Sequence, residues 1–124
     1  MRFVIHEHHA THLHWDLRLE LDAVLKSWAV PKEPPAEAGT KRLAIQVEDH
    51  PLDYIDFKGV IAEGYGKGEV KIWDEGELAV ESRTKNKIVF FLHGKKLAGK
   101  FTLLKFAKAG ENEWLFFKVK EDAD

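Results

Sequence analysis

The sequence contains no cysteine, which excludes disulfides, zinc ribbons and thiol nucleophiles. It has no apolar run of about 18 residues, so no helix that crosses a membrane is expected. The opening Met1–His6 lacks the long apolar stretch of a signal peptide, and the expectation is a cytoplasmic protein. Neither sign of charge dominates: 19 Lys and Arg stand against 21 Asp and Glu, for a net −2. A strongly basic nucleic-acid binder is therefore not indicated by the whole chain. Locally the balance differs. Between Arg83 and Lys108 lie Arg83, Lys85, Lys87, Lys95, Lys96, Lys100, Lys105 and Lys108, with no acid among them. Such a run reads either as a solvated face or as a surface that tracks phosphates.

What is present fits one domain over residues 1–124. The 124 residues are 44% hydrophobic, with 4 Trp and 8 Phe as bulky core material. Histidine is in excess: five of the 7 fall between His6 and His14, namely His6, His8, His9, His12 and His14. They are interleaved with Glu7, Thr11, Leu13 and Trp15, unlike a homopolymer tag.

From His12 to Leu21 the chain alternates. Leu13, Trp15, Leu17, Leu19 and Leu21 share one face; His12, His14, Asp16, Arg18 and Glu20 share the other. Residues two apart stand about 6.5–7 Å from each other along a strand. His14 and Asp16 can therefore converge on one ion. Lys41 to His50 is read the same way, with Leu43, Ile45 and Val47 on one face and Arg42, Ala44, Gln46, Glu48 and His50 on the other. Pro51 then ends the ladder because it has no N–H. Both polar rows also read as ordinary surface ion pairs.

The remainder reads as short strands and turns. A hairpin turn is expected near Asp22 and Ala23, followed by a strand to Val30 and a proline loop through Pro31, Pro34, Pro35 and Gly39. Asp53–Gly59 is a turn of helix or an edge strand. Glu63–Gly68 is a glycine-rich turn without Walker spacing. Glu69–Trp73 alternates, Asp74-Glu75-Gly76 reads as a turn, and further strands are expected in Lys85–Leu92, Lys100–Phe106 and Trp114–Val119. Helical turns are plausible at Pro35–Gly39 and Ser82–Lys87. The fold class is mainly β, a compact single-domain β-barrel with one or two short flanking helices.

Two imidazoles and a carboxylate are a frequent set for Mn, Fe or Zn. Arginines beside them point to an anionic substrate, with phosphoryl chemistry the natural candidate. Two alternatives stand. His14-Trp15-Asp16 also fits the H-x-D of non-haem iron oxygenases, with His50 as the distant third ligand. A non-catalytic β module binding nucleic acid or a partner through its lysines is the other.

Longer motifs narrow the choice. The stretches His8-His9-Ala10-Thr11-His12-Leu13-His14-Trp15-Asp16-Leu17-Arg18-Leu19-Glu20, Leu25-Lys26-Ser27-Trp28-Ala29-Val30-Pro31-Lys32, Lys41–Tyr54 and Glu63–Gly68 together resemble the 3′-phosphoesterase domain of bacterial DNA ligase D in its stand-alone form. The resemblance runs from Phe3 to about Lys120. It implies a small β-barrel that trims DNA or DNA–RNA 3′ ends at primer–template junctions during break repair. The implied reactions remove a 3′-terminal ribonucleoside, leaving a 3′-phosphate, and then remove that phosphate. The implied cofactor is a divalent metal, usually Mn2+, on His8, His14 and Asp16. Arg18, Arg42 and His50 are implied to hold the phosphate, His50 also stabilising the transition state or serving the leaving oxygen. Glu48, Tyr54 and Lys32 are implied to support them. The family often carries basic residues where this chain has Thr11-His12, and Tyr where it has Trp15. A DNA ligase acting in trans is the expected partner.

Overall fold

The computed structural model describes residues 1–64, 67–106 and 111–120. Nine antiparallel strands follow one another: β1 (Arg2–His9), β2 (Leu13–Leu21), β3 (Val24–Val30), β4 (Lys41–His50), β5 (Gly59–Ile61), β6 (Gly68–Arg83), β7 (Lys87–His93), β8 (Ala98–Lys105) and β9 (Glu113–Lys118). The sheet order is β1-β2-β3-β4-β9-β8-β7-β6, and β1 pairs with β6 to close an 8-strand barrel. β5 adds to β6 outside the ring. One 3-10 helix, Leu52–Asp56, follows Pro51.

The interior is filled by alternate residues from around the ring, among them Phe3, Ile5, Leu17, Leu19, Trp28, Phe90, Phe101 and Phe116. On the outer face of β1 and β3, a smaller cluster joins Val4 and Leu25 to Ile55 of the 3-10 helix, with Tyr54 and Ile72 against it. The helix is thus pinned to the outside of the barrel wall. That double burial explains why β1 shows no alternation: Phe3 and Ile5 face inward while Val4 packs outward, so the run Phe3-Val4-Ile5 is apolar on both faces.

The expected hairpin turn is present, and Asp22 and Ala23 both adopt positive φ (56° and 61°). That is the backbone of a type I′ turn, whose twist matches the two strands it joins. Three local expectations are corrected. Pro35–Gly39 and Ser82–Lys87 contain no helix. Asp74-Glu75-Gly76 is not a turn, because β6 runs unbroken through it. The Asp74 carboxylate instead leaves the sheet and accepts N–H groups from Lys95, Lys96 and Leu97 at 2.8–3.2 Å. It thereby holds the β7–β8 turn. Within the glycine-rich turn, Tyr65 and Gly66 lie outside the described residues.

The faces of β4 are the largest correction. Arg42 and Ala44 pair with Phe116 and Trp114, whose side chains are core. Their row therefore points inward. Leu43 (41% exposed) and Ile45 (36%) point outward, the reverse of an apolar-in reading. The register then slips: Ser27 pairs with Val47, but Leu25 pairs with His50, so β4 carries one extra residue. The bulge puts His50 on the outer row with Val47 rather than on the row of Arg42.

Candidate active site

The outer face of β1–β4, roofed by the 3-10 helix, forms a cavity of about 930 Å³. His8, His14, Asp16, Arg18, Val47, Glu48, His50 and Tyr54 are among its lining residues. The pairing register assembles it. His8 lies opposite His14 across β1–β2, and Arg18 lies opposite Ser27 across β2–β3. A strand side chain points to one face only, so these pairs and Asp16 project together from the outer wall.

At one end of the cavity, one donor atom each from His8, His14 and Asp16 lie within 4.8 Å of one another. Asp16 Oδ2 is 3.3 Å from His14 Nε2 and 3.7 Å from His8 Nδ1. Donors bound to one ion at about 2.1 Å stand about 3–3.5 Å apart, so this spacing suits a shared cation. The His14 Nδ1–H donates to the His12 carbonyl at 3.1 Å, which leaves Nε2 as the ligating atom. Burial pushes the Asp16 carboxyl up, but the His14 hydrogen bond and the Arg18 charge outweigh it and hold it below its ordinary value. The same bond to Asp16 raises the His14 imidazole. An anionic carboxylate beside two imidazoles is the right donor set for a divalent transition metal, and it does not select among them.

Deeper in the wall lies Arg18, a buried cation with almost every N–H engaged. Its Nε donates to His6 Nδ1 at 3.0 Å, its Nη1 donates to Ser27 Oγ at 2.8 Å, and the same Nη1 lies 3.1 Å from His50 Nδ1. Its Nη2 reaches Asp16 Oδ2 at 3.4 Å, and the Tyr54 ring covers it at 5.1 Å. Arg18 is thus no free two-pronged fork; only Nη2 has hydrogen left for a ligand. His50, the farther member of the set, has its imidazole lowered below the ordinary value by burial and then by Arg18. Burial raises the Tyr54 phenol.

His6 is a buried partner of Arg18 that strand alternation did not find. It is fully buried, and because a guanidinium can only donate, its Nδ1 must accept and the ring proton sits on Nε2. Among the described residues Nε2 has no partner within hydrogen-bond geometry. Burial, then Arg18, lowers its pKa to about 4. The signal available in sequence was His6 at the same parity as His8, visible only once β1 is recognised as a strand.

Two expected residues are not brought in. Arg42 turns inward and donates to the Glu33 carbonyl at 2.8 Å, tying down the proline loop. Lys32 is exposed in that loop, and neither lines the cavity. His50 is not within the metal group either; His8 completes it, so the H-x-D arrangement with His50 as third ligand is not formed. His9 pairs with Glu7 at 2.6 Å.

A closed eight-strand barrel with a His/His/Asp cluster beside a buried arginine on its outer wall defines a small β-barrel with a candidate metal site. Comparison with known sequences gives the family. The DNA ligase D 3′-phosphoesterase domain matches residues 6–105, and the chain belongs to that family. A multifunctional non-homologous end joining protein LigD of Pseudomonas aeruginosa is 45% identical over 128 residues, covering 98% of this chain and 15% of that protein. The multifunctional non-homologous end joining DNA repair protein LigD of Mycobacterium tuberculosis is 42% identical over 127 residues, covering 98% of this chain and 16% of its own length. A counterpart in Mycolicibacterium smegmatis is 42% identical over 132 residues, covering 97% of this chain and 17% of its own. The chain therefore spans about one-sixth of the relatives' length. No helix among the described residues is long and apolar enough to cross a membrane.

Proposed function

We propose that this chain is a divalent-metal-dependent phosphoesterase that heals nucleic-acid 3′ ends during break repair. Its substrates are DNA strands ending in a ribonucleotide or a 3′-phosphate at a primer–template junction. In the first reaction the phosphorus–5′-oxygen bond of the terminal ribonucleoside breaks, water supplies the new oxygen on phosphorus, and a 3′-phosphate remains. In the second, water again supplies the new oxygen on phosphorus, the phosphorus–3′-oxygen bond breaks, and inorganic phosphate leaves a 3′-hydroxyl. A ligase, in trans or elsewhere in a longer chain, would use that hydroxyl. The observation that carries the reading is the convergence of His8, His14 and Asp16 beside Arg18 and His50 in one cavity of a phosphoesterase-family barrel.

In this reading His8, His14 and Asp16 hold the metal, with Mn2+ the favoured ion. When bound there, a divalent cation supplies Lewis-acid polarisation of a phosphate oxygen. Arg18 Nη2 faces the same oxygens and meets developing negative charge with a fixed cation. His50 Nδ1 lies 3.1 Å from both Arg18 Nη1 and the Glu48 carbonyl, so Nε2 is the ring atom left to meet the scissile phosphate or the leaving oxygen. Tyr54 packs against His50 at 4.9 Å and fixes its tilt. Glu48 lines the cavity, and its carbonyl lies 3.1 Å from His50 Nδ1.

The test uses a 5′-labelled primer–template ending in one ribonucleotide, with metal-stripped protein. Stepwise conversion to a 3′-phosphate and then a 3′-hydroxyl, requiring both Mn2+ and His14, supports the proposal. Intact substrate with every divalent metal tried, in a folded protein, sinks it.

A further inference from the structure

The basic run of Arg83–Lys108 finds no place in the active site, and the barrel divides it. Lys95 and Lys96 sit in the β7–β8 turn at one end, where Gly94 N–H bonds the Leu97 carbonyl. There Lys96 lies over the Trp73 ring at 4.5 Å, and nearby Lys100 pairs with Glu81 at 2.9 Å. Arg83, Lys85 and Lys105 gather at the opposite end, where β6 ends and β7 begins. Lys26 of β3 joins them, a cation outside the run. Lys108 is outside the described residues.

At this second end the barrel mouth opens into a cavity of about 380 Å³ lined by Lys26, Arg83, Lys85 and Lys105, with Thr84 and Gln46 as neutral polar groups. Among the described residues no carboxylate lines it. Two of the cations are already paired: Lys26 with Asp49 at 2.9 Å, and Arg83 with Asp22 at 2.7 Å. Lys85 and Lys105 have no ion-pair partner among the described residues. The floor includes Trp28 and Trp114. The Trp114 indole donates to Gln46, whereas the Trp28 Nε1–H is buried without an acceptor among the described residues.

The mouth adjoins the active site. Gln46 borders both cavities. The β4 bulge between them sends Asp49 to Lys26 at the mouth and His50 to the outer wall. A strand whose 3′ end lies at His50 would carry its next phosphates over this edge, toward the uncompensated lysines.

We propose that the barrel mouth around Lys85 and Lys105 is a binding site for the phosphodiester backbone of a nucleic acid, distinct from the metal site. The ligand is the substrate strand upstream of the processed end, so the identity of the strand rests on the phosphoesterase reading. The chemistry at the mouth is phosphate recognition by lysine, which positions a backbone without reading its sequence.

The experiment measures equilibrium binding, not turnover. A fluorescent primer–template with an unreactive 3′-hydroxyl end is titrated with the full chain in the presence of chelator, at several salt concentrations. The variants are Lys85→Glu/Lys105→Glu and, with the same charge change at the other end, Lys95→Glu/Lys96→Glu. The mouth variant should lose about tenfold or more in affinity at low salt and show a shallower salt dependence by about one to two counterions. The far-end variant should bind like the parent. Lys85→Gln/Lys105→Gln should show a smaller loss, which covers the case in which the double Glu variant fails to fold. Equal losses at both ends, or no loss at the mouth, would overturn the site. Absence of phosphoester cleavage would overturn the proposed activity and leave this binding result standing on its own.

Discussion

Arg18 Nε donates a 3.0 Å hydrogen bond to Nδ1 of His6, inside the barrel wall and out of reach of solvent. The bond closes a chain that runs from His6 through Arg18 to Ser27, His50 and Asp16. His6 thus orients the cation that in turn contacts both His50 and Asp16.

Removing that acceptor should loosen Arg18 and, through it, its hold on His50 and Asp16. His6→Leu leaves a buried guanidinium N–H unsatisfied, which costs about 1–3 kcal/mol of stability. It should also lower kcat on phosphoesters by about 10–100-fold, the usual range for a lost supporting bond. His6→Asn places an amide oxygen near the Nδ1 position and should recover most of that loss. Denaturant unfolding and steady-state kinetics on the three proteins check this. Equal kcat in Leu and Asn variants would mean that His6 serves packing alone.

His50 should titrate below its ordinary value of 6.5, because burial and then Arg18 disfavour its charged form. The groups facing it are Arg18, Glu48, Asp16 and Tyr54. A histidine whose folded pKa is lowered stays neutral in the fold while the unfolded chain takes up a proton. Its contribution to stability is therefore present above about pH 6.5 and is lost as pH falls below it. Proton NMR of the His50 ring should give the low midpoint, and Arg18→Gln should move it up. An unmoved midpoint would remove Arg18 as a cause.

Asp74 holds the far end of the barrel through backbone N–H groups of Glu75, Lys95, Lys96 and Leu97. Asp74→Ala strands these donors in a site only 4% exposed, and should cost about 2–4 kcal/mol. Gly94→Ala should destabilise as well, since an added Cβ would collide with the Asp74 carboxylate and the Phe3 ring. Thermal unfolding of both variants is the measurement, and unchanged midpoints would refute the role given to Asp74.

Much of this arrangement was legible in the chain. The alternation of β2 placed His14, Asp16 and Arg18 on one face before any fold was known, because a strand with one side in the core has a fixed period of two. Two features defeated the same logic. In β1 the outward Val4 packs under the 3-10 helix, so apolar residues fall on both faces and the period disappears. In β4 the inward row is small or polar at Ala44 and Gln46, and the outward Leu43 and Ile45 are exposed, so hydrophobicity pointed the wrong way. The bulge before His50 then shifted its face, an event with no periodic signature. Family resemblance, rather than pattern, put His8 with His14 and Asp16. The pairing of His8 with His14 across the β1–β2 hairpin accounts for that grouping in physical terms.

Anomalous diffraction tests whether His8, His14 and Asp16 hold a metal ion. Crystals of metal-stripped protein soaked in Mn2+ would be measured on either side of the manganese absorption edge. An anomalous peak is expected within about 2.0–2.3 Å of His8, His14 and Asp16 donor atoms, lost in His14→Ala. A peak elsewhere on the barrel, or none at Mn2+ concentrations that support end cleavage, would contradict a metal site there.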